Sequence, residues 1–215
     1  MNKNKVLEIL NREDPFQNFT PIPDTKLWGW NGDSPIFSEL INKTKPKIII
    51  EVGSWMGQSA TTMAKACKSM GMNDTTVLCI DTWLGSKEHW RDPNLVGHLE
   101  LKNGYPQFYS RFMTNVVNSG VSDMVVPIPM PSQIGASYLK DFSDSFKSEL
   151  IYIDGSHDAK DVFDDLEAFW PLVKNEGIIF GDDWSWDQVS GAVKAFCAEK
   201  GVIYSANSVN WFIRK

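Results

Sequence analysis

Short apolar runs rich in β-branched residues recur along the chain, separated by longer amphipathic stretches. The runs at residues 47–52, 76–80, 123–128, 149–153 and 177–180 predict five buried strands. Helical periodicity covers residues 58–69, 106–117, 132–139, 158–173 and 187–199. A further helix is predicted over 35–43, with Ser34 as N-cap and Pro35 in the first turn. In the 158–173 helix, Val162, Leu166, Phe169 and Val173 form the apolar face, while Asp161, Asp164, Asp165 and Glu167 read as a solvated surface. Residues 202–205 and 210–214 predict a terminal hairpin. Alternating strands and helices imply an α/β three-layer sandwich around a mostly parallel sheet, with the hairpin adding an antiparallel edge.

Residues 1–34 break this pattern. Pro15, Pro21, Pro23 and the dipeptides Trp28-Gly29 and Trp30-Asn31 suggest an irregular arm or cover, leaving 35–215 as the domain. The polar stretch 85–105, with His89, Trp90, His98 and Tyr105, reads as a lid-like insertion.

A length of 215 residues suits one domain with an extension, and 42% hydrophobic residues supply a substantial core. A net charge of −6 without a basic stripe argues against a nucleic-acid partner. Cys67, Cys79 and Cys197 lack metal-site spacing and read as buried free thiols. The N-terminus shows no apolar leader, and no run is long enough to span a membrane, so a cytoplasmic protein with no membrane partner is expected.

Candidate chemistry lies where strands end. Asp154 follows the run 151–153, and Asp182-Asp183 follow 178–181. Ligands of parallel sheets bind at the carboxyl ends of strands. If these two strands are neighbours, three carboxylates converge, an oxygen cluster suited to a hard divalent cation. Helix N-capping is the plainer role for any one of them. The first strand runs into Glu51-Val52-Gly53-Ser54-Trp55-Met56-Gly57-Gln58-Ser59-Ala60, whose glycines allow a tight turn and close ligand approach. The second ends in Asp81, placed to accept both hydroxyls of a ribose. An adenosine-containing ligand follows, NAD or S-adenosylmethionine. Trp55 stands where the dinucleotide fingerprint has its middle glycine, which favours S-adenosylmethionine.

These motifs, in this order over residues 35–190, resemble the class I S-adenosylmethionine-dependent methyltransferases. The nearest resemblance is to the metal-dependent O-methyltransferases of macrolide and aminocoumarin sugars, and a more distant one to catechol O-methyltransferase. The resemblance implies a Rossmann-like fold and a methyl donor bound by Glu51, Gly53, Ser54, Trp55, Gly57 and Ser59, with Asp154 beside it. Asp81, flanked by Thr82 and Trp83, would hold the ribose, and Ser132 and Gln133 would meet the adenine. It also implies Mg²⁺ or a similar cation on Asp154, Asp182 and Asp183. His157 stands where catechol enzymes carry a catalytic Lys, and with Asp154 forms the candidate catalytic pair.

Methyl transfer to a hydroxyl requires loss of a proton, for which a neutral imidazole of ordinary pKa is suited. The expected acceptor is a small molecule or glycan, with a sugar hydroxyl preferred over a catechol and with Trp83, Trp90 and Tyr105 as its candidate walls, while His89 and His98 read as solvated loop residues. A module that holds an adenosine ligand without turnover is the non-enzymatic alternative, and an NAD(P)-dependent oxidoreductase is disfavoured by the glycine pattern. Self-association into a homo-oligomer is left open.

Overall fold

A computed structural model describes residues 1–23, 27 and 29–215; Trp28 of the N-terminal arm lies outside the described residues. In chain order the helices are α1 (Lys3–Ile9), α2 (Ile36–Thr44), α3 (Gln58–Ser69), α4 (Lys87–Arg91), α5 (Phe108–Asn118), α6 (Ser132–Lys140), α7 (Ala159–Phe169) and α8 (Asp187–Lys200). The strands are β1 (Ile48–Val52), β2 (Thr76–Asp81), β3 (Val125–Pro129), β4 (Ser148–Ile153), β5 (Val173–Gly181), β6 (Tyr204–Ala206) and β7 (Trp211–Arg214). They form one sheet in the order β3-β2-β1-β4-β5-β7-β6. β1 to β5 pair in parallel, and β7 and β6 close the edge antiparallel. This is the α/β sandwich that the strand–helix alternation predicts, in the Rossmann-like arrangement that the resemblance implies.

Successive strand residues point to opposite faces, so a doubly covered sheet needs continuous apolar runs. Ile48, Ile50 and Val52 of β1 pack on one side with Leu166 and Phe169 of α7 and Phe196 of α8. Ile49 packs on the other with Ile41 of α2, Met63 of α3 and Phe112 of α5. Strand registry then aligns the carboxyl ends. Val52 lies opposite both Ile80 and Ile153, and Ile153 lies opposite Gly181. Gly53, Asp81, Asp154 and Asp182 therefore emerge along one rim. Strand order reverses between β1 and β4, where the rim opens into a crevice.

Three expectations change. Residues 1–34 are not wholly irregular. The Asn2 side chain caps α1 by accepting the Lys5 N–H at 3.0 Å, and Val6, Leu7 and Leu10 are buried against the sheet. Buried Lys3 is held by Asp14 at 2.6 Å and by the Ser122 carbonyl at 2.7 Å. The helix predicted to Val173 ends at Phe169, because Pro171 lacks the N–H that continuation needs. Val173 instead starts β5, four residues earlier than the apolar run suggests. The 85–105 segment contains α4 and a 3₁₀ turn at Val96–Leu99. No described helix is long and apolar enough to cross a membrane.

Candidate active site

The turn after β1 is shaped by its own packing. Gly53 has φ +84°, and a Cβ there would lie 2.0 Å from the Asp154 carbonyl oxygen, so no other residue fits. Beneath the turn, fully buried Glu51 accepts hydroxyl hydrogen bonds from Ser54 and Ser59. Burial nevertheless pushes its pKa up to about 7. Glu51 does not line the cavity described below; it ties the two ends of the turn together.

That burial has a pH signature. Glu51 binds its proton more tightly in the folded state than in the unfolded one, where a Glu titrates near 4.5. Stability should therefore fall as pH rises between those values and level off above about 7. Glu51→Gln removes the titration. From pH 5 to pH 8 its stability should gain on the wild type by an amount on the order of 3 kcal/mol. Urea unfolding at the two pH values measures this, and a gap that does not move with pH would contradict it.

Asp81 ends β2 with each oxygen already anchored. The Trp55 N–H donates to Oδ2 at 2.8 Å and the Trp83 N–H to Oδ1 at 2.7 Å. Each oxygen keeps a lone pair for a ligand hydroxyl. Burial raises this carboxyl's pKa, and the two N–H donors oppose the rise. Besides glycines, four of the described residues around the crevice hold left-handed backbone: Asn31 (φ 52°), Trp55 (φ 40°), Trp83 (φ 53°) and Asp183 (φ 58°). For a tryptophan this costs about 1–3 kcal/mol, and such strain concentrates at functional sites.

The acidic cluster forms as the adjacency of β4 and β5 requires. Asp154 accepts from the Tyr152 hydroxyl at 3.0 Å. Buried Asp182 accepts from the Asn31 amide at 3.0 Å, and Asp183 pairs with His157 Nε2 at 2.8 Å. Burial, with the charges of Asp182 and Asp183 adding to it, pushes Asp154 up to about 8. Three mutually repelling hard oxygen donors suit a divalent cation. Each is turned to a protein donor, and among the described residues no three such side chains form a ready-made metal-binding group. The His157 imidazole does not keep an ordinary pKa: the hydrogen bond to Asp183 raises it. Its ring also stacks on Trp186, with centroids 4.7 Å apart.

A cavity of about 840 Å³ runs along the rim, within the range of small-molecule sites. Apart from Glu51, every cofactor, metal and base residue singled out from the sequence lines it. Trp90 and Tyr105, expected to wall an acceptor, do not; Trp90 instead donates its indole N–H to the Leu84 carbonyl. His89, expected to be solvated, is packed against Phe108 and takes the Ser86 N–H on Nδ1, with burial lowering its pKa.

Several cavity residues escaped the sequence reading. From the N-terminal arm, Trp30 stacks on Trp55 (4.8 Å, 7° between planes) and Asn31 reaches Asp182. The Gly29 and Gly32 turns press on Gln58, and their small size was the only signal. Asp165 of α7, assigned to a solvated face, is 3% exposed and lines the cavity, with the Ser132 hydroxyl donating to its Oδ1.

A methyltransferase-domain family profile matches residues 50–184, more than half of the chain. No curated protein matches at the sequence level. Among solved structures, the chain is similar to an O-methyltransferase from Bacillus cereus in complex with SAH. That pair shares 14% identity, covers 99% of this chain and 92% of the other, and has a TM-score of 0.58. It is also similar to the O-methyltransferase NovP (17% identity, 86% and 78% covered, TM-score 0.59). A third is a TDP-rhamnose 3′-O-methyltransferase of calicheamicin biosynthesis (15% identity, 83% and 77% covered, TM-score 0.59). At these identities the likeness is one of fold.

Proposed function

Because the chain belongs to the methyltransferase-domain family, we propose that it moves a methyl group from S-adenosylmethionine to a hydroxyl oxygen, with a divalent cation at the acidic cluster. The observation that carries this reading is one cavity joining Asp81 at the end of β2 to Asp154 just after β4 and Asp182 and Asp183 just after β5. Bound S-adenosylmethionine supplies a methyl carbon activated by its sulfonium. A bound cation supplies positive charge that favours the ionised hydroxyl.

The chain's own residues do the rest. Asp81 accepts the ribose hydroxyls while its anchored oxygens keep it in place. The Gly53 turn lets the backbone approach the donor, and the Trp30–Trp55 stack lines the cavity beside it. A carboxylate only accepts, so His157 Nε2 carries the proton shared with Asp183. Nδ1 is then the nitrogen that takes the acceptor's proton. Asp183 both orients the ring and raises its basicity, which suits a hydroxyl far less acidic than a phenol.

The acceptor in this reading is a vicinal-diol sugar. Asp183 supports it, because the catechol-type enzymes that these motifs more distantly resemble usually have a neutral Asn there. A more anionic site draws less charge from the hydroxyl and gains more from a separate base. Metal-supplemented transfer assays over glycosides and catechols test it. Glycosides should be preferred, and His157→Ala should lower their turnover about 10²–10⁴-fold. A catechol preference with little loss in the variant would defeat both the acceptor and the base. Calorimetry showing NAD bound and S-adenosylmethionine not bound would remove the whole reading.

A further inference from the structure

Trp186 breaks a local rule. It is the N-cap of α8, where a Ser, Thr, Asp or Asn side chain would accept a helix N–H, and its side chain makes no such bond. The backbone carries the turn instead. The Trp186 N–H donates to the Asp183 carbonyl at 2.9 Å, and the Trp186 carbonyl accepts from the Ser190 N–H at 3.0 Å. Neither contact needs an indole. The core does not take the ring in either: Trp186 is 52% exposed and forms part of the cavity wall. A large ring left half in solvent, where the helix prefers a small polar residue, has no local explanation. Departures of this kind concentrate at functional sites.

Its surroundings indicate what it meets. Trp30 and Trp55 of the wall stack on each other, and Trp83 is 3% exposed. Trp186 stands apart from them, just past Asp183, with its ring stacked on His157 at 4.7 Å between centroids and 27° between planes. An indole is broader than an imidazole, so His157 covers only part of the face it stacks on. An acceptor hydroxyl held at the His157 ring therefore lies next to indole surface. A pyranose fits such a surface. One side of its ring presents mainly C–H groups, while its hydroxyls radiate from the edge. Laid on an indole, the C–H side leaves water, and the edge hydroxyls stay free for polar partners.

Resting on the sugar reading above, we infer that Trp186 is the platform on which the acceptor's pyranose ring stacks, so that the site recognises a ring face as well as a vicinal diol. This gives Trp186 the role that Trp90 and Tyr105, outside the cavity wall, do not fill.

The test is methyl transfer by the full chain, with S-adenosylmethionine and Mg²⁺, to methyl pyranosides bearing a vicinal diol and to 1,2-propanediol. The small diol offers the same reacting groups without a ring face. Wild type should favour the best pyranoside in kcat/KM by about 10-fold or more. Trp186→Thr supplies a favoured N-cap and so keeps α8 in place. It should lower kcat/KM for that pyranoside about 10- to 100-fold, chiefly through KM, and for the small diol by no more than about threefold. Trp186→Phe keeps an aromatic face and should recover most of the loss. Melting curves and calorimetry with S-adenosylhomocysteine check that each variant folds and keeps its donor site. A wild-type ratio within about threefold, an equal loss for both diols, or an undiminished pyranoside rate in folded Trp186→Thr overturns the platform while leaving the sugar reading intact. Failure of wild type to methylate any pyranoside overturns the sugar reading itself, and this inference with it.

Discussion

Methyl transfer should stop when divalent cations are stripped with EDTA and return when Mg²⁺ is restored, while affinity for S-adenosylhomocysteine stays within about threefold. The expectation follows from charge. Asp154, Asp182 and Asp183 meet at one edge of the cavity, and Asp154 is held by burial and its two neighbours at about 8. The Tyr152, Asn31 and His157 donors offset this repulsion only in part. Asp81 and the β1 turn, which would hold the methyl donor, depend on none of the three acids through a side-chain contact. Asp154→Asn should cut turnover about 10²–10³-fold by removing fixed charge beside the reacting oxygen. Full activity in protein shown to be metal-free would return the acids to structural duties.

The second large effect concerns the methyl donor. Asp81→Ala should weaken S-adenosylhomocysteine binding by about 100-fold or more, since two hydrogen bonds to a charged group are lost at once. The same change frees the Trp55 and Trp83 N–H groups, so some stability goes with it. Asp81→Asn separates the two losses. It keeps an acceptor for one N–H and should melt closer to wild type, yet still bind less tightly because the ribose hydroxyls lose their charged acceptor. Undiminished affinity in a folded Asp81→Ala variant would place the ribose elsewhere.

Most of the sheet was readable in advance because burial on two faces writes itself as unbroken Ile and Val runs. β1 and β2 are of this kind, with Ile48, Ile49 and Ile50 all at or below 2% exposure. The cavity residues at strand ends were legible for the same reason: registry places Gly53, Asp81, Asp154 and Asp182 together once the strands are identified. What failed depended on partners far away in sequence. α1 is seven residues long, too short to be stable alone, and exists because the sheet receives Val6 and Leu7. Asp165 sits at the margin of the Val162–Leu166 stripe. Whether a marginal residue is wet or dry is decided by the helix that packs beside it, here α6 through Ser132. Trp90 and Tyr105 were aromatic residues in a polar segment, and nothing local says which way such rings turn.

The Asn31–Asp182 hydrogen bond and the Trp30–Trp55 stack come from chain that precedes the family-matched residues 50–184. Donor-site chemistry and this part of the cavity wall thus occupy separable stretches of sequence. Changes at residues 29, 30 and 32 can reshape that wall without touching Asp81 or the acids after β4 and β5, whereas a change at Asn31 removes a donor from Asp182. The N-terminal residues 29–32 therefore supply a stretch of cavity wall that can vary in sequence while the strand-end residues stay fixed.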